Sequence, residues 1–380
     1  MKGKKLSGNI KSCPTAAILF GFTVVMLILY LALPQTEFSD AENRYLTQRP
    51  RFNLAGIKDG SYMESFDNYT KEQLPFREFF VKLKAVSEMI LLKKENNNIV
   101  LGKDGYMFEK LFSPGKRLEK NEECIKKFTE DNDREIYLLI APNSFEILKE
   151  KVPEGLPRID EKKYIDGFYS DLSSKENLHT IDVYDELRTG SKAGKQVFYK
   201  TDHHWTTFGA YLSYGKICES MGIEKEEYTD HKVNLVNDFY GTYQAKYKSP
   251  FAVPDTIEYY DIKIEDYVIN GTEEHKGLYD MEKTEIYDKY AMFLWGNYGI
   301  SEIISEKTST KDELIVIKDS YANCLIPFLT GNFRRIVIID PRYYGGSLKE
   351  LMEKEKGTPV LILYNFSNFN EDSNIYKILK

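Results

Sequence analysis

The sequence predicts an α/β protein with a mostly parallel sheet, preceded by one N-terminal transmembrane helix. Short apolar runs rich in β-branched residues lie between turn residues, and amphipathic stretches of helical length separate them. Apolar strands that alternate with helices form sheets covered on both faces, and such sheets are usually parallel. A long uncharged run near the start of the chain indicates the transmembrane helix.

The predicted anchor is residues 16–33, an 18-residue run without a charged side chain. This length is close to the minimum that spans the hydrocarbon core of a bilayer. A cleaved signal peptide is the alternative, but its apolar region is usually shorter and ends at a small-x-small site, which residues 31–34 do not provide. Because lysines precede the run, we expect residues 1–15 in the cytoplasm and the remainder outside, on a single-pass protein of the cell membrane.

The part of the chain after the anchor is expected to form a stalk and one domain. Residues 34–57 are polar and irregular, which predicts the stalk, and residues 58–380 form the predicted extracytoplasmic domain. Apolar residues at helical spacing predict a helix pair within residues 61–94, interrupted at Leu74-Pro75. The segment 232–283 is polar, tyrosine-rich and weakly periodic, so it is interpreted as an insertion or lid.

After this helix pair, the next predicted element of the domain is a β-hairpin whose turn is Asp104-Gly105, a dipeptide that favours positive φ. Two of the predicted helices are residues 206–220 and 347–356. The strands expected in the sheet are residues 136–141, 180–183, 314–317, 336–339 and 360–363.

Composition excludes one class of partner. The net charge is −7, so the chain offers no basic face wide enough to neutralise a run of nucleic-acid phosphates. Four cysteines without metal-like spacing do not form a disulfide framework. Cys13 falls at the cytoplasmic edge of the anchor, and Cys124, Cys218 and Cys324 are interpreted as buried small apolar side chains.

The first candidate for chemistry is Ser320, which follows the apolar run 314–317 where helix-like spacing begins. A serine between a parallel strand and a helix presents its hydroxyl at the edge where α/β sheets bind ligands. The N–H groups at a helix start can also stabilise an oxyanion. The alternative is that Asp319-Ser320 only caps a helix, which is a far commoner role.

The second candidate is the segment 199–209, which holds two of the five histidines beside a carboxylate and a tryptophan. A serine hydroxyl needs a histidine to take its proton and a carboxylate to orient that histidine. Asp202 and His204, two positions apart, could supply both, while His203 is expected to point away. The alternatives are that Asp202 caps the next helix or that Asp-His-His binds a metal ion. Because adjacent side chains point apart and no third ligand stands at a familiar spacing, the sequence does not favour a metal ion. No cofactor is expected.

The segment Thr201-Asp202-His203-His204-Trp205 resembles the signature of the DHHW proteins. These resemble periplasmic alginate O-acetyltransferases and, more distantly, SGNH hydrolases, whose fold is a three-layer α/β sandwich. Further matching segments are Glu42-Asn43-Arg44, Leu74-Pro75-Phe76-Arg77, Leu101-Gly102-Lys103-Asp104-Gly105-Tyr106, Phe239-Tyr240-Gly241-Thr242, Lys318-Asp319-Ser320-Tyr321 and Asp340-Pro341-Arg342-Tyr343-Tyr344.

The resemblance implies a catalytic order in which an Asp-x-His pair precedes the serine along the chain. It assigns Ser320 as nucleophile, His204 as base and Asp202 as the orienting carboxylate. Lys318 stands where the hydrolases have the glycine of their Gly-Asp-Ser block. The substrate or oxyanion candidates are Tyr321 through its backbone N–H, Asn323, Trp205, Arg342 and His203, with Asn297 as a weaker one.

The function expected from this resemblance is O-acetyl transfer onto a cell-envelope or exported polysaccharide through an acetyl-serine intermediate. Acetyl-CoA is not expected outside the membrane, so the resemblance implies a membrane-bound O-acyltransferase as acetyl donor. A carbohydrate esterase with the same three residues is one alternative. A non-catalytic envelope-assembly or polysaccharide-binding protein is the other, because a fold and a motif do not guarantee activity.

Overall fold

A computed structural model describes residues 14–39, 44–228, 232–305 and 311–379. The chain divides into two compact units, one ending at Ile90 and the other beginning at Leu91. This division falls at a different place from the predicted stalk and domain boundaries, which remain predictions. Most of the predicted cytoplasmic segment, including Cys13, lies outside the described residues.

The first unit is mainly helical. Its elements are α1 (Pro14–Ala32), β1 (Phe38–Ser39), β2 (Arg44–Tyr45), α2 (Leu54–Asp59), α3 (Ser61–Glu72) and α4 (Arg77–Ile90). Among the described residues, α1 is the helix that is long and apolar enough to cross a membrane, and none of its residues is buried. The predicted break at Leu74-Pro75 separates α3 from α4, because proline lacks the N–H that a helix interior needs.

A ladder of aromatic rings connects α1 to the start of α2. Tyr30, near the end of α1, meets Tyr69 of α3 with ring centroids 5.9 Å apart. Phe66 lies 6.0 Å from Tyr69, Tyr62 lies 6.2 Å from Phe66, and Phe52 lies 5.7 Å from Tyr62. The end of the apolar helix is therefore packed on α3 inside the first unit.

The second unit is built on an eight-stranded sheet. Its strands, in chain order, are β6 (Ile136–Ala141), β7 (Leu178–Thr180), β10 (Ile264–Ile269), β11 (Glu273–His275), β12 (Ile300–Ser305), β13 (Lys311–Lys318), β14 (Phe333–Ile339) and β15 (Val360–Asn365). Their order across the sheet is β11-β10-β12-β14-β13-β15-β6-β7. The strands from β7 to β14 in this order are mutually parallel, whereas β12, β10 and β11 are antiparallel additions at one edge. The α/β class is confirmed, and the prediction of a mostly parallel sheet is corrected to a mixed one.

Smaller elements surround this sheet. The predicted hairpin is present as β4 (Ile99–Leu101) and β5 (Met107–Glu109), joined to β3 (Glu95–Asn96), and Asp104 and Gly105 have φ of 56° and 80° in its turn. β8 (Val233–Phe239) and β9 (Asp255–Tyr260) form a separate antiparallel pair. The helices are α5 (Leu118–Glu130), α6 (Ser144–Ile147), α7 (Glu161–Leu172), α8 (Tyr184–Lys192), α9 (Thr207–Met221), α10 (Thr242–Tyr247), α11 (Ile326–Leu329), α12 (Leu348–Lys354) and α13 (Phe366–Glu371).

One predicted strand requires correction in this unit. The strand expected at residues 180–183 ends at Thr180, because Asp182 accepts a hydrogen bond from Tyr184 N and turns the chain into α8. The segment 232–283, interpreted as an insertion or lid, contributes the β8/β9 pair and the edge strands β10 and β11, and its role as a lid stays a prediction. The three cysteines of the unit are buried and free, as predicted.

Candidate active site

Ser320 lies two residues beyond the end of the central strand β13. It opens a 3₁₀ turn, Ser320–Cys324, which is followed by the four-residue α11. The sequence predicted a helix directly after Ser320, but the 3₁₀ turn comes first, and Pro327 near the start of α11 restricts the local backbone. The Asp319 carboxylate fixes the turn, because it accepts hydrogen bonds from Tyr321 N (2.9 Å) and from Asn365 N at the end of β15 (2.8 Å).

The Asp-His-His-Trp segment forms the tip of a hairpin before α9. Phe198 bridges to Trp205, and Tyr199 N donates to His204 O (3.2 Å). Inside the tip, the buried Asp255 carboxylate accepts from Lys200 N (2.9 Å), Thr201 N (2.9 Å) and Thr201 Oγ (2.7 Å). The conformation of the tip is therefore fixed from the side of β9.

A chain of hydrogen bonds connects Ser320, His204 and Asp202, in that order. Ser320 Oγ is 2.9 Å from His204 Nε2, and His204 Nδ1 is 2.5 Å from Asp202 Oδ1. An ionised carboxylate only accepts, so Nδ1 carries the proton and Nε2 is left to accept from the serine hydroxyl. All three residues are buried, although 116 positions separate the serine from the histidine in sequence. This arrangement can take a proton from Ser320.

The His204 ring is stacked between two other rings. Tyr290 lies face to face with it at 3.7 Å between centroids and an interplanar angle of 11°. His203 lies on it at 3.7 Å and 40°. Tyr290 also donates its hydroxyl hydrogen to Ser320 O (3.1 Å). One tyrosine therefore orients the imidazole and holds the backbone of the serine.

His203 is not directed away from the site, contrary to the sequence prediction. Its Nδ1 is 2.7 Å from Thr242 Oγ1 and 3.5 Å from Asp202 Oδ1. Thr242 in turn donates to Asp202 Oδ2 through its hydroxyl (3.0 Å) and its backbone N–H (2.7 Å). The threonine hydroxyl thus links His203 to the Asp202 carboxylate, which contacts both histidines.

The protonation of this cluster follows from burial and from the electrostatic interactions among Asp202, His203 and His204. Burial alone would raise the pKa of Asp202, but His203 and His204 outweigh it and hold that pKa well below its usual range. Burial would lower the pKa of His203, but the Asp202 carboxylate outweighs it and raises that pKa. Burial and the adjacent charge of His203 lower the pKa of His204 to about 4. At neutral pH His204 is therefore unprotonated and able to accept a proton.

Thr242, Tyr290 and Asp255 were not identified from the sequence. Thr242 carried a signal, because it closes the segment Phe239-Tyr240-Gly241-Thr242 that matches the DHHW pattern. Gly241 is glycine for a physical reason, since a Cβ there would collide with the Asp202 side chain. Tyr290 is one of 28 tyrosines and had no distinguishing sequence context.

Two of the predicted oxyanion donors are already engaged. The N–H of Tyr321 donates to Asp319 Oδ1. Asn323 is buried, accepts from Lys318 Nζ (2.6 Å) and donates to Asn297 Oδ1 (3.2 Å). Both residues were predicted as oxyanion donors only because they follow Ser320 closely in the sequence. The sequence did not predict these hydrogen-bond partners.

The remaining candidates lie around the turn with different partners. Trp205 is fully buried and donates from Nε1 to Tyr321 O (2.9 Å), so it holds the backbone of the turn that follows Ser320. Arg342 is held by Asp340 through its Nε (2.9 Å) and Nη2 (2.6 Å). Together with Asp319 it lines a cavity of about 210 Å³ beside the turn.

Lys318, which stands in place of a glycine, points into the protein. Its Nζ donates to Asn297 Oδ1 (2.9 Å) and Asn323 Oδ1, and lies 3.7 Å from Asp340 Oδ2. Burial lowers the pKa of Lys318 to about 8. The lysine thus links the end of β13 to the residues around Arg342.

Within the described part of the chain, Asp202, His203 and His204 are the group whose ligand atoms could jointly hold a metal ion, lying within 4.8 Å of one another. The prediction that adjacent side chains point apart is therefore wrong here. Those atoms are occupied by hydrogen bonds to each other, to Ser320 and to Thr242. A metal ion would have to displace these bonds.

The fold and this geometry define an α/β protein with a buried serine–histidine–aspartate cluster at the carboxyl edge of its sheet. The sequence profile of the DHHW proteins matches residues 129–339, more than half of the chain. The chain belongs to the DHHW family.

Among curated relatives, probable alginate O-acetylase AlgJ of Pseudomonas aeruginosa is 25% identical over 190 residues, which cover 47% of this chain and 46% of AlgJ. The Azotobacter vinelandii AlgJ is 22% identical over 210 residues, covering 53% and 51%. The chain spans about half the length of the curated relatives it matches.

Two solved structures share the fold. A DHHW family protein from Eubacterium siraeum has a TM-score of 0.63 and 21% identity, covering 75% of this chain and 96% of that one. Bacillus cereus PatB1 has a TM-score of 0.61 and 19% identity, covering 74% and 99%. The matching region therefore includes most of this chain and nearly all of both structures.

Proposed function

We propose that this chain is an extracytoplasmic serine acyl-transfer enzyme that moves acetyl groups onto a cell-envelope or exported polysaccharide. The observation that carries the proposal is the 2.9 Å contact between Ser320 Oγ and His204 Nε2, with Asp202 on the other ring nitrogen. A weakly nucleophilic hydroxyl becomes reactive when a neutral, oriented imidazole can take its proton.

In the first half-reaction, Ser320 Oγ attacks the carbonyl carbon of an acetyl ester while its proton moves to His204 Nε2. The tetrahedral intermediate then expels the donor's oxygen, which takes the proton from His204 and leaves acetyl-serine. Since the N–H groups of Tyr321 and Ala322 already have acceptors, the oxyanion donor in this proposal is the Ser320 N–H. No cofactor is invoked, because each proton moves between groups of the chain and the two substrates.

In the second half-reaction, His204 Nε2 takes the proton of an acceptor hydroxyl, whose oxygen attacks the acetyl-serine carbonyl. Ser320 leaves and recovers its proton from His204. Asp202 stays ionised throughout and stabilises the imidazolium that forms twice per cycle. Arg342, partly exposed beside the cavity next to Asp319, is the proposed contact for the acceptor.

A polysaccharide acceptor is supported by the relatives called probable alginate O-acetylase, which match about half of their own length here. We further propose that the second unit is a variant of the SGNH-hydrolase sandwich. The proposed donor is a membrane-bound O-acyltransferase, because an enzyme outside the membrane has no direct access to acetyl-CoA. In this proposal residues 16–33 span the bilayer, residues 34–57 form a stalk, and parts of 232–283 cover the site.

The test is turnover of a soluble acetyl ester by the purified full-length chain, with and without an oligosaccharide acceptor. The proposal expects acetylated oligosaccharide to form and expects Ser320→Ala and His204→Ala each to lower the rate by about 10³-fold or more, as for members of one catalytic unit. Ser170→Ala, on the exposed face of α7, is the matched control and should retain full activity.

The outcomes separate the alternatives. Release of free acetate with an unmodified acceptor would establish an esterase that uses water. Turnover that is equal in Ser320→Ala and the unchanged chain would end the proposal that Ser320 is the nucleophile. No turnover by the unchanged chain would favour a polysaccharide-binding protein. Crosslinking that recovers no multi-span acyltransferase from cells would contradict the proposed donor.

A further inference from the structure

An exposed apolar stripe runs the length of α4 in the first unit. Phe79, Leu83 and Ile90 are 62%, 51% and 75% exposed. At about 100° per residue they fall within a narrow sector of the helix, and Phe76, just before the helix and 61% exposed, extends the stripe. The opposite face of α4, which includes Ala85, is the one buried inside the unit.

Charged residues flank this stripe. Lys82 and Glu78 lie on one side, and Lys84 lies on the other, with most of each side chain exposed. A helix with a central apolar sector between lysines has the pattern of a helix lying in a membrane interface, because long lysine side chains can reach the headgroups. Water-facing helices of soluble proteins place polar residues at these positions instead.

The position of α4 in the unit indicates what covers the stripe. Phe76 lines a cavity of about 350 Å³ together with Tyr30 and Leu33, from the end of the apolar helix α1. Gln35 just beyond that helix donates to the Tyr69 hydroxyl (3.1 Å). The stripe therefore starts at the level where α1, as the proposed anchor, would leave the bilayer.

The aromatic ladder continues from the same point. Tyr30 and Tyr69 begin it, and Phe66 and Phe52, also exposed, lie further along. Tyrosine rings are enriched at the level of lipid headgroups, where an apolar body and a polar tip are both satisfied. The aromatic ladder and the α4 stripe therefore both begin beside the end of α1.

We infer that the first unit is a membrane-interface module in which the Phe76–Phe79–Leu83–Ile90 stripe of α4 lies in the outer leaflet of the bilayer. The occupant of this surface is lipid. The inference rests on α1 being a retained anchor and is independent of the acyl-transfer chemistry. If the inference holds, α4 lies parallel to the membrane surface, because the whole stripe then stays at the depth where α1 leaves the bilayer.

The experiment uses the full-length chain in nanodiscs of phosphatidylcholine and phosphatidylglycerol. One cysteine at a time is introduced at Phe79, Leu83 or Ile90 in a Cys13→Ser background and spin-labelled, and collision with oxygen is compared with collision with a water-soluble nickel chelate. The other three cysteines of the chain are free but buried, so the background without an added cysteine is treated in parallel to show that they take up no label. Leu27→Cys in α1 is the control for lipid insertion. Lys84→Cys, adjacent to Leu83 and comparably exposed, is the matched control for water.

The expected result is an oxygen-to-nickel ratio severalfold higher at the three stripe positions than at Lys84, and lower than that at Leu27, which lies deeper in the bilayer. Labels at exposed positions leave the fold intact, which circular dichroism verifies. Nickel access at the stripe equal to that at Lys84 overturns the inference, as does water access at Leu27. Low access to both reagents at the stripe also overturns it, in favour of contact with protein.

Discussion

At the scale of single residues, the environment of His204 determines what the site can do. Its ring is fixed by Tyr290 on one face and His203 on the other, and its two nitrogens are assigned by Asp202 and Ser320. Burial and the charge of His203 also keep it unprotonated at neutral pH. These features lead to two predictions.

The first prediction concerns pH. Because His204 must be neutral to act as base, activity is present above its pKa and is lost as pH falls through it, at about 4. The acid limb of kcat/KM for acetyl-ester turnover should therefore lie well below the ordinary histidine pKa of about 6.5. Measurement between pH 3.5 and 8 with an alkali-stable donor checks this.

His203→Asn supplies the control for that prediction. Removing the neighbouring positive charge should raise the pKa of His204, so the acid limb should move upward while the rate at neutral pH changes little. An acid limb near pH 6.5 in the unchanged chain would contradict the low pKa of His204. An acid limb that does not shift in His203→Asn would contradict the role of the His203 charge.

The second prediction concerns Tyr290. Tyr290→Phe keeps the stacked ring but loses the hydrogen bond to Ser320 O, so kcat should fall about three- to tenfold. Tyr290→Leu also loses the stacked ring, so its kcat should be about a further tenfold lower. Because the residue acts through His204 and Ser320, KM should change little. Equal kcat in the two variants would show that stacking contributes nothing.

At the scale of elements, two connections bring the site together. The hairpin tip that carries Asp202 and His204 is held by Asp255 from β9, and the turn that carries Ser320 is tied to β15 through Asp319. Neither link joins residues that are close in sequence. The site therefore depends on buried carboxylates outside the serine–histidine–aspartate cluster.

The third prediction tests the first of these links. Asp255→Ala leaves the N–H groups of Lys200 and Thr201 and the Thr201 hydroxyl without their acceptor, so the free energy of unfolding should fall by about 2–4 kcal/mol. Asp255→Asn retains an acceptor oxygen and should lose less. Urea unfolding of both variants provides the measurement, and equal stability of all three proteins would contradict this account of the tip.

The elements also show what a sequence can predict. The observed bounds of β6 match those of the predicted apolar run, because a strand buried on both faces is apolar at every position. β10 and β12 were missed, because charged and polar residues interrupt the apolar residues of both strands. Ser320, His204 and Asp202 were selected by motif, whereas Tyr290 is brought to His204 only by tertiary packing.

At the scale of the whole molecule, the central expectation is its topology. If residues 16–33 span the membrane with the N-terminus inside, protease added to intact cells should remove the region after Pro34 and spare an epitope placed before residue 14. The positive charge before the run is the physical reason. Full protection of the second unit, checked against cells made permeable, would reverse the topology.

The central claim, that Ser320 carries the acetyl group during transfer, is tested most directly by trapping the intermediate. The full-length chain is mixed with an acetyl ester in the absence of a glycan acceptor, quenched in acid, digested and analysed by mass spectrometry. The account predicts an acetyl group on the Ser320 peptide, its discharge on adding acceptor before the quench, and its loss in Ser320→Ala. Steady turnover with the acetyl group on another residue, or with Ser320 never modified, would contradict it.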